Sequence, residues 1–120
     1  MLEKLTAQEE QALKAVYAAG EGTVKQFLEH LEEPLPYTTL ASTIKNLEKK
    51  GYLNSSLSGN VYRYQPVFSE AEFKKLFLNT VVKDYFDNSY KELVSFFVEQ
   101  KKLSPKELKE IIDMINANDR

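Results

Sequence analysis

The segment from residue 36 to residue 66 restricts the possible folds of this chain more than any other part of it. It begins with an amphipathic pattern, because Leu40, Ile44 and Leu47 share one face of a helix that turns by about 100° per residue. Gly51 follows, a residue suited to the left-handed position just after a helix end. Two short β-like runs come next, at 52–57 and 61–65. Their polar connection indicates a β-hairpin directly after the helix.

Two further helices are predicted before this segment, over residues 7–19 and 24–32. Each begins with a capping box, in which the side chains of the first and fourth residues satisfy each other's backbone amides. These boxes are Thr6-Ala-Gln-Glu9 and Thr23-Val-Lys-Gln26. Three helices followed by a hairpin have the order and lengths of a winged helix-turn-helix, whose third helix enters the major groove of DNA. We therefore expect a winged-helix DNA-binding domain over residues 1–67.

Three more amphipathic helices are predicted after it, over about 70–85, 89–100 and 105–117, with capping boxes at Ser69–Glu72 and Ser104–Glu107. Three helices in so few residues bury little by themselves, so their apolar stripes indicate a partner surface, most economically a second copy of the chain. Folding back onto the first domain as one larger core is the alternative. We expect a helical dimerisation region over residues 68–120. Its candidate contacts are Phe73, Phe77, Tyr90, Leu93, Phe97, Leu108, Ile111, Ile112 and Ile115.

The distribution of charge supports binding to DNA, although the whole chain has a formal net charge of -2. Residues 34–65 contain four basic side chains against the single carboxylate of Glu48, which gives this segment +3. Contacts to backbone phosphates need local positive charge, and a dimer would double this patch. A solvated surface that happens to be basic is the alternative.

The candidate DNA contacts are of two kinds. Short or amide-bearing side chains can approach base edges or phosphates, and lysine and arginine seek phosphates. The first kind comprises Tyr37, Thr38, Thr39, Ser42, Asn46 and, at the hairpin tip, Asn60. The second comprises Lys45, Lys49, Lys50 and Arg63. The third helix has no arginine, so thymine-methyl, water-mediated and shape readout are expected in place of bidentate guanine contacts.

Composition argues against the main alternatives to a binding protein. The chain has no cysteine, which excludes thiolate metal sites and cysteine nucleophiles. His30 lies among glutamates without other converging ligands, so we predict no metal site, no cofactor and no catalytic residues. The sequence has neither a membrane-length apolar run nor the features of a signal peptide. We expect a cytoplasmic protein without direct membrane contact and without enzymatic activity.

The chain also resembles the penicillinase-repressor family of the BlaI/MecI/CopY type over essentially its whole length. The segments that carry the resemblance are 5–17, 37–40, 46–53, 62–66, 93–99 and 103–108. The resemblance implies a dimeric winged-helix repressor that binds an inverted-repeat operator, dimerises through its C-terminal helices and is often encoded beside a sensor metalloprotease.

The chain departs from this family at three points. Copper-sensing members have C-terminal cysteine pairs, which this chain lacks. Penicillinase repressors have an Asn-Phe bond, cut by the protease in the penultimate helix, where this chain has Phe96-Phe97. Many relatives have arginine where this chain has Asn46. The resemblance therefore implies Phe96-Phe97 as the candidate cleavage site.

Two other functions remain open at this stage. The chain could be a winged-helix protein-interaction module that does not bind DNA, and salt-dependent binding to duplex DNA separates the two. A regulator that holds a small ligand between its two parts is the third reading, although no convergent polar pocket is evident in the sequence. No motif in the sequence identifies the operator, the regulated genes or the inducing signal.

Overall fold

The computed structural model describes residues 3–118, and its elements follow the predicted order. The fold is mainly α, with one two-stranded antiparallel hairpin, as predicted. The elements are α1 (Ala7–Ala19), α2 (Val24–Leu28), α3 (Tyr37–Lys49), β1 (Leu53–Ser58), β2 (Val61–Pro66), α4 (Glu70–Tyr85), α5 (Tyr90–Glu99) and α6 (Pro105–Asn118). The described residues form two compact units that divide between Phe73 and Lys74.

Helix α2 is shorter than predicted. We expected it to reach residue 32, but it ends at Leu28. The amide of Glu29 bonds to the carbonyl of Gln26 at 3.2 Å, and the amide of His30 bonds to that of Phe27 at 3.0 Å. These bonds span three residues rather than four, so the chain tightens into 3₁₀-type turns before it reaches the prolines. The prediction that α2 continues to residue 32 is therefore wrong.

The starts of the helices are as the sequence predicts. The amide of Glu9 bonds to Thr6 Oγ1 at 3.1 Å, and the amide of Thr6 bonds to Glu9 Oε1 at 2.9 Å. The same reciprocal pair forms at the other three predicted capping boxes, Thr23–Gln26, Ser69–Glu72 and Ser104–Glu107. Ser89 caps α5 by accepting from the amide of Glu92, a cap that we did not predict.

Helix α3 ends in a Schellman motif that directs the chain into the hairpin. Gly51 has a φ of 90°, a conformation that glycine adopts at little energetic cost because it has no Cβ. Its amide bonds to the carbonyl of Glu48, and the amide of Tyr52 bonds to that of Leu47, each at 3.0 Å. The helix stop predicted at Gly51 is confirmed.

The core of the first unit lies between α1, α2, α3 and the hairpin. Leu40, Ile44 and Leu47 are fully buried, as the amphipathic pattern predicts. Gly22, in the turn before α2, pairs with Tyr64 of β2 through two backbone hydrogen bonds of 3.0 and 2.7 Å. This isolated bridge, which the sequence did not reveal, ties the hairpin to the α1–α2 connection. The remaining large, fully buried side chains of this core are Leu13, Val16, Phe27 and Leu53.

The first unit extends past the hairpin into the beginning of α4. The Tyr17 hydroxyl donates to the carbonyl of Phe68 at 2.9 Å, and its ring lies 5.9 Å from that of Phe73, centroid to centroid. Burial, together with the carboxylates of Glu70 and Glu72, raises the pKa of Tyr17 to about 12, so the phenol stays a neutral donor. The division between units therefore falls inside α4, whereas the sequence suggested a boundary just after residue 67.

The second unit consists of the rest of α4 with α5 and α6, and it buries little. Val82 and Leu93 are its only buried apolar side chains among the described residues. The rings of Phe86 and Phe96 meet edge to face at 5.7 Å. In α6 every described side chain except that of Leu108 is exposed. No helix in the described part of the chain has the length and apolar character to cross a membrane.

Candidate nucleic-acid interface

Helix α3 has two faces of opposite character. Thr38, Ser42, Lys45 and Lys49 are exposed, whereas the side chains on the other face are buried in the core. The helix is held by apolar contacts on one side only, so its polar and cationic face is open to solvent. This is the face that the sequence predicted to contact DNA.

The remaining predicted residues of α3 lie on the two flanks of this face. Tyr37 is exposed on the flank that, by helical phase, also carries Glu48, whose carboxylate bonds to Ser55 in β1. Thr39 is half-buried and Asn46 is exposed on the opposite flank, beside α1. The structure therefore brings the predicted α3 residues together as one surface between α1 and the hairpin.

The hairpin places Arg63 on its outer face. Register pairs Ser56 with Arg63 and Ser55 with Tyr64. Tyr64 is buried, and neighbouring residues of a strand point to opposite faces, so Arg63 points away from the core and is half-exposed. Asn60 is exposed in the two-residue tip next to Gly59, whose φ is 64°.

Two apolar side chains at the end of the hairpin were not predicted as part of this surface. Leu57 and Tyr62 are directly paired and lie on the same face as buried Tyr64, but they extend beyond the core and are 60% and 54% exposed. The alternation of side chains along each strand predicts that Leu57 and Tyr62 lie on the same face as Tyr64. It does not predict how far along the hairpin the buried core extends.

Lys50 forms an ion pair within the domain, whereas Lys45 and Lys49 are exposed. Its Nζ lies 2.6 Å from Glu9 Oε1 and donates to the carbonyl of Lys4 at 3.0 Å. Glu9 is only 5% exposed. Burial raises the pKa of its carboxyl, but the hydrogen bonds and charge of Lys50 and the hydrogen bonds of Thr6 outweigh burial and leave that pKa below its usual value. Lys50 thus neutralises a buried carboxylate, although the sequence suggested a phosphate contact.

A polar groove of about 470 Å³ opens between the first turns of α1 and the exposed face of α3. We call it the α1–α3 groove. Hydroxyl and amide groups dominate it, and Glu9 contributes the one carboxylate. Its lining residues are Thr6, Gln8, Glu9, Thr38, Thr39, Ser42, Thr43 and Asn46.

A hydrogen-bond chain crosses this groove. Gln8 Nε2 donates to Thr43 Oγ1 at 2.9 Å, and the Thr43 hydroxyl donates to the carbonyl of Thr39 at 2.8 Å. Thr43 is buried, while Gln8 is exposed. Sequence reasoning missed both residues, because the two partners lie 35 positions apart and neither belongs to a local motif.

Within residues 3–118, no group of three or more histidine, cysteine, aspartate or glutamate side chains converges on a point that could hold a metal ion.

Three helices closed by a hairpin, with the polar face of the third helix exposed, define a winged-helix domain of the kind found in DNA-binding regulators. A solved structure of BpsR from Bordetella bronchiseptica, determined to explain how 6-hydroxynicotinic acid regulates DNA binding by that protein, shares the fold. The TM-score is 0.51 at 16% sequence identity, over 98% of this chain and 76% of BpsR.

The chain belongs to the penicillinase repressor family, whose model matches residues 5–117. The methicillin resistance regulatory protein MecI of Staphylococcus aureus strain N315 is 26% identical over 104 residues, which cover 83% of this chain and 80% of MecI. MecI of Mammaliicoccus sciuri is 30% identical over 82 residues, covering 65% of this chain and 63% of that protein. The family consists of transcriptional repressors rather than enzymes, and this chain is a DNA-binding transcriptional regulator.

Proposed function

We propose that this protein is a homodimeric repressor in the cytoplasm that binds an inverted-repeat operator in double-stranded DNA. Helix α3 enters the major groove, and the hairpin acts as a wing beside it. The observation that carries the proposal is the exposed polar and cationic face of α3, which lies directly opposite its buried face. A helix with this division of faces, set between α1 and a hairpin, matches the recognition helix of winged-helix proteins.

The exposed groups suggest a division of labour at the interface. Lys45, Lys49 and Arg63 are free to approach backbone phosphates, which gives affinity and register. Side chains able to reach base edges supply specificity, together with water-mediated and shape readout. These are Thr38, Thr39, Ser42 and Asn46, with Tyr37 and Asn60 at the edges of the surface. We leave Lys50 out of this set, because its ammonium group is bound to Glu9.

The second unit supports the dimer. Ile112 and Ile115 of α6 are 55% and 54% exposed, and Phe77 of α4 and Phe97 of α5 are exposed as well. Apolar stripes of this extent on three successive helices favour burial against another surface. A two-fold dimer of these units would present two recognition helices, which corresponds to the symmetry of an inverted repeat.

We also propose that this repressor is released from DNA by proteolysis, with a sensor metalloprotease as the partner, as the resemblance to penicillinase repressors implies. The Phe96-Phe97 bond lies within α5, where the carbonyls of both residues accept hydrogen bonds, from the amides of Gln100 at 3.0 Å and Lys102 at 2.9 Å. A protease would need α5 to open locally. Cutting there would separate Leu93 from Phe97 and detach α6 from the rest of the dimerisation region.

Binding-site selection from random duplexes, followed by affinity measurements over a range of salt concentrations, tests the proposal. A repressor of this kind selects an inverted repeat, and the logarithm of its affinity falls linearly with the logarithm of salt concentration. The absence of salt-dependent binding to any duplex would overturn the proposal in favour of a protein-interaction module. Selection of a single half-site would contradict the dimeric part alone.

A further inference from the structure

The α1–α3 groove differs chemically from the centre of the α3 face. Lys45 and Lys49 give that centre its positive charge, but among the described residues no lysine or arginine lines the groove. Glu9 lines it too, but its carboxylate is already paired with Lys50 Nζ at 2.6 Å. The described lining therefore offers hydroxyl and amide groups, with no lysine or arginine to attract a phosphate. The groove suits a neutral group that forms hydrogen bonds.

The hydrogen bonds across the groove fix the orientation of the Gln8 amide. Thr43 has a single hydroxyl hydrogen, and it is directed at the carbonyl of Thr39 at 2.8 Å. Thr43 Oγ1 must therefore act as the acceptor toward Gln8, which identifies the facing atom of the amide as Nε2. This leaves the carbonyl Oε1 of Gln8 as an acceptor at the exposed end of the side chain.

We propose that Gln8 is a specificity-determining residue whose Oε1 accepts a hydrogen bond from the exocyclic amino group of a base in the major groove, adenine N6 or cytosine N4. This proposal rests on the proposed DNA-binding function and deepens it. Both amino groups are exposed in the major groove, and glutamine reads adenine there in many complexes. Thr39 and Asn46 of α3 line the same groove as Gln8, so the three side chains border one space that a base edge can enter.

Thr43 has a different role in this proposal, as a positioning residue. It is buried and acts only through Gln8 and the backbone of Thr39. Its hydroxyl holds the long Gln8 side chain in one orientation before DNA arrives, which reduces the entropy lost on binding. The first turn of α1 thereby becomes part of the reading surface.

The test uses the full chain and the operator obtained by binding-site selection. Each adenine of a half-site is replaced in turn by purine, which lacks only the 6-amino group, and each cytosine by 2-pyrimidinone, which lacks only the 4-amino group. We expect the wild type to lose about ten- to a hundredfold in affinity at one such position. The base type at that position identifies which of the two amino groups is read.

Gln8→Ala is then measured on the same duplexes. We expect it to bind the unmodified operator about ten- to a hundredfold more weakly and to lose nothing further at the position that Gln8 reads. Gln11→Ala, a change of the same kind on α1 outside the groove, should behave as the wild type. Thr43→Val should reduce the discrimination at that position while it leaves the loss at other positions unchanged.

The outcomes separate this inference from the proposed function. If Gln8→Ala discriminates every analogue as the wild type does, Gln8 reads no base and the inference is wrong, although operator binding stands. If the wild type binds no duplex, the proposed function itself fails. The same measurements on Gln8→Met, which keeps the length of the side chain but lacks the amide, provide a second test. Circular dichroism shows whether Gln8→Ala and Gln8→Met are folded.

Discussion

Lys50 Nζ lies 2.6 Å from Glu9 Oε1, so the end of α3 is joined to the start of α1 by a largely buried ion pair. Lys49, one position earlier, is exposed. One residue of helix rotates a side chain by about 100°, which is enough to turn one lysine toward solvent and the next toward Glu9. Two adjacent and chemically identical residues therefore have different expected roles.

Lys50→Ala should destabilise the protein by about 1–3 kcal/mol, because it leaves the Glu9 carboxylate buried without its cation. Lys49→Ala should change stability by less than about 0.5 kcal/mol, since its side chain is solvated. Chemical denaturation of the two variants beside the wild type measures this difference. Equal destabilisation by both would show that the ion pair contributes no more than an exposed lysine.

The same pair should make stability depend on pH. The pKa of the folded Glu9 carboxyl lies below its ordinary value of 4.5, so the folded state binds this proton more weakly than the unfolded state does. The stabilisation is complete above about pH 4.5 and is lost as the pH falls through the lower folded pKa. Urea titrations between pH 3 and pH 7 should show a smaller decline in the Glu9→Gln variant than in the wild type. An identical decline in both would assign the acid sensitivity to other carboxyl groups.

Lys45→Ala and Lys49→Ala should each weaken binding to all duplexes, specific and random, and make the log-log salt dependence shallower by about one unit per lost phosphate contact. Thr39→Ala and Ser42→Ala should instead change the preference among sequences, because they remove groups able to approach base edges. Fluorescence anisotropy with the selected operator and a scrambled duplex distinguishes the two patterns. If both lysine variants bind like the wild type, α3 is not the recognition helix.

Phe77→Asp, Phe97→Asp and Ile112→Asp should each shift the protein from dimer to monomer, since each would place an unpaired carboxylate in an apolar interface. Lys106→Asp, which adds a carboxylate to the opposite side of α6, is the matched control. Sedimentation at micromolar concentration gives the oligomeric state directly. A monomeric wild-type chain under these conditions would overturn the dimer.

Cleavage between Phe96 and Phe97 at an engineered protease site should lower operator affinity by orders of magnitude, because the two half-site contacts lose their linkage through high effective concentration. Each DNA-binding unit should stay folded. Lys101 lies two residues after the end of α5 at Glu99 and has a φ of 58°, a conformation that glycine adopts at lower cost. Lys101→Gly should therefore stabilise α5 by up to about 1 kcal/mol and slow the cut. A dimer with full affinity after complete cutting would exclude this route of release.

Local interactions explain why much of the fold could be predicted. A capping box needs residues only three positions apart, so all four predicted boxes form. The helix stop at Gly51 likewise depends on neighbouring amides and carbonyls. The open face of α3 follows from the spacing of its leucines and isoleucine, which settles what the helix buries and what it exposes. The extent of α2 was overestimated, because its last turn tightens in a way that no residue spacing signals.

Contacts between distant segments were decided only by the tertiary structure. The sequence determined that residue 50 is a lysine at the end of a basic helix, but packing of α1 against α3 decided that its charge would meet Glu9. The same packing brought Gln8 to Thr43 and formed the α1–α3 groove. Amphipathic periodicity specifies the direction of a side chain from its own helix axis, whereas the partner it meets depends on how two helices cross. For that reason the open face of α3 was visible in the sequence, and the contacts that Gln8 and Lys50 make beside it were not.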